Sequence, residues 1–88
     1  MTLTDKQKDI IRTLSLGHER DELLDLDELL ELLPYTTTKQ SIQFSIRILI
    51  KKGLVEKHGI RQRATDGRQR RVLGLTAIGR AKVKLMRI

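Results

Sequence analysis

Apolar residues recur at helical spacing in four places along this chain, and each run is bracketed by residues that start or stop a helix. The first opens at Thr4, with Gln7 three residues on completing a capping box. Ile10, Ile11, Leu14 and Leu16 supply its buried side, and Gly17 closes it. The second is acidic and Leu-rich: Asp25 or Asp27 caps a short helix carrying Leu29, Leu30, Leu32 and Leu33, which Pro34 ends. Residues 35–38 form a brief turn into a third helix, capped by Thr38, with a stripe of Ile42, Ile46, Leu49 and Ile50 and a stop at Gly53. The second and third helices therefore form a helix-turn-helix pair. Leu54 to His58 and Arg71 to Leu75 read as strands, and Asp66-Gly67 between them signals a hairpin turn. Thr76 caps a last helix with a narrow stripe of Ile78, Ala81, Leu85 and Ile88. That stripe either packs on the first helix or meets a second protomer, and the pattern leaves both open.

Composition narrows the class. With 88 residues, 39% of them hydrophobic, the chain supports one domain, residues 1–88, with a real core; one Phe, one Tyr and no Trp make that core aliphatic. The absence of Cys removes disulfides and thiolate chemistry, and no apolar run resembles a signal peptide or a membrane span, so a cytoplasmic protein is expected. Charge is segregated. Residues 1–36 carry a net of −5 and residues 37–88 a net of +12, within a formal total of +7. A positive half of that strength attracts a polyanion through counterion release. Nucleic acid fits it better than a membrane surface, because no segment joins a basic face to large exposed hydrophobics such as Trp.

The third helix, about residues 38–52, carries the most specific chemistry. Gln40, Gln43, Phe44, Arg47 and Lys51 stack along the side opposite its apolar stripe, and Thr38 and Lys39 extend the set at the helix start. Gln can pair with adenine, Arg can fork onto guanine, and Phe can meet a thymine methyl group in a DNA major groove. The hairpin, about residues 59–71, adds a basic loop. Arg61, Arg63, Arg68, Arg70 and Arg71, with Lys57 before them, are opposed only by Asp66. Beside a helix-turn-helix they suit phosphate or minor-groove contact. His18 and His58 lie far apart in sequence, and no cluster has metal-ligand spacing. Asp25, Asp27, Glu28 and Glu31 read as helix caps and solvation. No enzyme, cofactor or metal is expected.

Three stretches resemble the winged helix-turn-helix DNA-binding proteins, the MarR-like group above all. LIKKGLVEK, residues 49–57, is similar to the apolar helix end, Gly, Leu and Val that precede the wing in that family. Asp66-Gly67-Arg68 looks like its Asp-x-Arg wing motif, and LTAIGRA, residues 75–81, is like its Leu-Thr-x-x-Gly-Arg-Ala segment. The resemblance implies an α+β fold, mostly α, with three helices, a two-stranded β-hairpin wing and a C-terminal helix. It also implies a small repressor-like regulator that binds double-stranded DNA at a promoter; a homodimer is expected separately, because a single short recognition helix reads too few bases for good specificity. The longer flanking helices that build the dimer and an effector pocket in the family do not fit in this chain, so no small-molecule effector is expected. The alternative is a winged-helix adaptor in a replication, recombination or transcription assembly, with the acidic Leu-rich segment facing a protein partner.

Overall fold

Reciprocal caps start the first two helices. The Thr4 hydroxyl accepts from the Gln7 N–H, and the Gln7 side chain accepts from the Thr4 N–H, both at 3.1 Å; α1 (Asp5–Glu19) follows. After a short strand β1 (Leu24–Asp25), Asp25 and Glu28 repeat the exchange at 2.9 and 3.1 Å to open α2 (Leu26–Leu32). Thr38 accepts from the Ser41 N–H at 3.1 Å and starts α3 (Lys39–Lys51); Gly53, at φ 80°, takes the chain out of that helix as only Gly does without strain. Then come β2 (Val55–Gln62), β3 (Gln69–Leu75) and α4 (Ala77–Met86). The computed structural model describes residues 3–62 and 69–86, with residues 61 and 62 described as backbone alone.

Among the described residues the result is a small α+β arrangement of four helices and a three-stranded antiparallel sheet, compatible with a winged-helix-like fold. The sheet order is β1-β3-β2, so β3 is central. Two strands are expected from the sequence; the third, β1, has only two residues and exists because Leu24 and Asp25 pair with Leu73 and Val72. Along β2 one extra residue intervenes: Lys57 stands opposite Leu73 but Ile60 opposite Arg71, which makes a bulge at His58 and Gly59. Ile10, Ile11, Leu14, Leu29, Leu49 and Leu75 meet in the core at 1% exposure or less. Each such side chain contributes roughly 1.5–3 kcal/mol by leaving water.

Three expectations need correction. Gly17 does not close α1, which runs on to Glu19; it is buried, and a Cβ there would stand 3.0 Å from the Glu22 carbonyl oxygen, so glycine lets the chain fold back over the helix end. Leu32 is 41% exposed, because two turns of α2 can bury only one side, taken by Leu29. The third concerns α4. Its buried residues are Gly79 and Val83, while Ile78 and Leu85 are 65% and 71% exposed and Ala81 is exposed beside them. Gly79 is the cause: it lies so close to the Leu54 carbonyl that a Cβ would overlap the oxygen. Thr76 fixes the approach, donating to the Gly53 carbonyl at 2.6 Å and accepting from the Gly79 N–H at 3.0 Å. The stripe is therefore not packed on α1; Ile88 lies outside the described residues.

Candidate nucleic-acid interface

α3 turns Ile42, Ile46 and Leu49 inward and leaves Lys39, Gln40, Gln43, Phe44, Arg47 and Lys51 exposed, as its periodicity predicts. Phe44, at 65% exposure, is an aromatic ring held in water with no core role. The helix stands as a ridge between two grooves, and Gln43 and Arg47 border both. One groove, of about 780 Å³, runs between α3 and the sheet; Ile46, Val55 and Leu73 line it, with Lys57 and Arg71 on its far side. The other, of about 670 Å³, lies towards α1 and the turn before α3, and takes in Lys6, Tyr35 and Gln40. That turn is tied to α1 by Tyr35, whose hydroxyl donates to the Lys6 carbonyl at 3.4 Å and whose ring lies 5.6 Å from Lys6 Nζ. Burial, and then Asp9, raises the Tyr35 pKa, which keeps the hydroxyl a donor.

The basic hairpin residues do not act as one patch. Arg70 and Arg71 are neighbours on β3 and face opposite ways. Arg71 lines the groove beside α3, whereas the Arg70 guanidinium reaches Asp27 Oδ2 at 3.4 Å. Lys39 Nζ meets the other oxygen of that carboxylate at 3.3 Å. Two cations picked out separately in the sequence thus converge on Asp27, which the sequence marks only as a cap or solvating residue. The Thr38 hydroxyl is engaged in its cap and donates to Ser41 Oγ at 3.0 Å. Arg61 pairs with Arg70 across the strands as backbone. Arg63, Asp66, Gly67 and Arg68 lie outside the described residues.

His18 and His58, far apart in sequence and unremarked there as a pair, come together edge to face, with ring centroids 6.5 Å apart. His18 Nε2 accepts from the Leu75 N–H at 2.8 Å, which requires an unprotonated nitrogen. Burial, then Arg80 and His58, hold its pKa below the usual value; Glu56 pulls the other way. His58 Nε2 lies 3.1 Å from Glu56 Oε1 but is not aligned with it as a hydrogen bond. Gly74 makes room for the pair, since a Cβ there would stand 2.6 Å from His58 Nε2. Among the described residues no group of three His, Asp or Glu side chains is placed to hold a metal ion, and no helix is long and apolar enough to cross a membrane.

No family model matches this chain, and no curated protein matches it. Among solved structures, a crystal structure of a "putative DNA-binding protein" from Ralstonia eutropha JMP134 is similar, with a TM-score of 0.68 over 99% of this chain and 100% of that one. Sequence identity is 16%, so the likeness is one of fold alone.

Proposed function

We propose that this chain is a winged helix-turn-helix protein that binds double-stranded DNA sequence-specifically, as a small MarR-like transcriptional regulator that represses by occupying a promoter. The carrying observation is the α3 ridge, on which Gln43 and Arg47 border both flanking grooves, with Lys57 and Arg71 across the groove on the sheet side. A single projecting helix fits the roughly 12 Å width of the major groove. One DNA strand would then run between α3 and the hairpin. The fold shared with a protein named for DNA binding agrees with this reading. A homodimer follows from the need to read two half-sites, and the exposed Ile78 and Leu85 of α4 offer its interface. The adaptor reading is weaker, because the acidic Leu-rich segment on which it relied commits Leu29 and Leu33 to the core.

Selection of bound fragments from a random DNA library tests the proposal, with recovery of an inverted repeat as the expected result. Arg47→Ala should then weaken binding to the selected site by roughly 1–3 kcal/mol and relax preference at one base position. An equal weakening on selected and random DNA would make Arg47 a phosphate ligand and end the claim of base reading.

A further inference from the structure

Lys39 begins α3, Arg70 belongs to β3, and α2 packs against both elements. Asp27 sits in the first turn of α2 and meets both cations, through Oδ1 at 3.3 Å and Oδ2 at 3.4 Å. We infer that Asp27 is a positioning residue for DNA binding: it holds Lys39 and Arg70 on one carboxylate so that both present their remaining donors to the phosphate backbone. The inference rests on the DNA-binding reading and adds to it a residue of the opposite charge.

Both cations keep donors to spare. Lys carries three N–H donors and Arg five; the Arg70 Nε–H is buried, and a carboxylate that takes one donor from each side chain still leaves the other terminal N–H groups for phosphate oxygens. Two positive charges against one negative keep the cluster cationic. The side chains are 49% exposed at Lys39 and 28% at Arg70, open enough for a strand to approach. Long basic side chains lose rotamer freedom when they grip a ligand. Asp27 restricts them during folding instead, and it fixes the start of the recognition helix relative to the hairpin base.

Simple charge counting gives the opposite sign, which makes the test decisive. Asp27→Asn keeps the side-chain shape and raises the net charge, while giving up the favourable interaction of a carboxylate with the start of α2. Binding to a short labelled duplex of mixed sequence would be followed by anisotropy over a salt series. The expected result is weaker binding by D27N, with a salt slope shallower by about 0.9 for each phosphate that the protein no longer neutralises. Asp27→Glu should recover part of the affinity, and Lys39→Ala and Arg70→Ala should each cost less in the D27N background than alone. Circular dichroism melts of all variants separate these effects from unfolding; an affinity decrease that merely tracks reduced helix, with additive Lys39 and Arg70 effects, overturns the inference. So does D27N binding as tightly as wild type or tighter, which would make Asp27 a competitor of phosphate. Wild-type protein that fails to bind the duplex at any salt overturns the DNA-binding reading and the inference with it.

Discussion

α3 buries the apolar stripe that its sequence spaces out, Ile42, Ile46 and Leu49, whereas α4 turns Ile78, Ala81 and Leu85 to solvent and buries Gly79 and Val83. Both helices mix aliphatic and basic residues at helical period, so the pattern alone ranks them alike. The difference lies in how each is held. The broad stripe of α3 goes to the core because its other side, Phe44 apart, is long and polar. In α4 the smallest residue decides: Gly79 allows the helix backbone against the Leu54 carbonyl, and the Thr76 bonds to Gly53 and Gly79 pin it there. Period shows which residues share a side; close approach shows which side goes in.

Two leucines separate the helices most sharply. Leu49→Ala, at a site with 0% exposure, should cost roughly 2–5 kcal/mol in urea unfolding, whereas Leu85→Ala should leave the folded monomer within about 0.5 kcal/mol. Leu85→Glu should convert the proposed homodimer into helical monomers. A wild-type chain that sediments as a monomer at high concentration, free and on DNA, would remove that role from α4.

Gly79→Ala comes next in size. Helix propensity alone would favour the Ala by about 1 kcal/mol, but the clash with the Leu54 carbonyl should turn this into a cost of roughly 1–3 kcal/mol. A thermal melt showing a stabilised variant would mean that something other than backbone approach seats α4.

The smallest effect belongs to His18, at the far end of α1. Its folded pKa lies below the usual value of 6.5, so the folded state holds the proton less well than the unfolded one. Its contribution is complete above about pH 6.5 and declines as the pH falls through that value towards the folded pKa. Urea midpoints measured between neutral and mildly acidic pH should fall for wild type and change less for His18→Gln, which keeps an acceptor for the Leu75 N–H that does not titrate there. Equal slopes for the two proteins would mean that the His18 bond is not what acid breaks.

Much of the fold is legible because its signals are local. Thr4, Thr38 and Thr76 announce helix starts within three residues of what they bind, and the exposed side of α3 follows from spacing alone. The pair of residues that form β1 carries no strand pattern; it is made by partners on β3, most of the chain away, and no local rule reaches that far. Similar separations hid the Asp27 cluster and the pairing of His18 with His58. In the sequence Asp27 is one acid among several and Arg70 one base among several, and only the packing of α2 against β3 selects the two. Arg70 and Arg71 also look equivalent in a basic run, until strand alternation sends them to opposite sides.

The bulge at His58 and Gly59 has a consequence for solubility. β2 is the long outer strand of the sheet, eight residues whose free side is a ready template for another chain. A regular strand of that length would invite edge-to-edge aggregation. The extra residue breaks the repeat of outward N–H and C=O groups midway, and Glu56 and Lys57 place charges just before the break. Deleting Gly59 would restore a straight edge at the cost of shifting His58 against His18 and Gly74, and the protein so trimmed should precipitate at concentrations that the natural chain withstands.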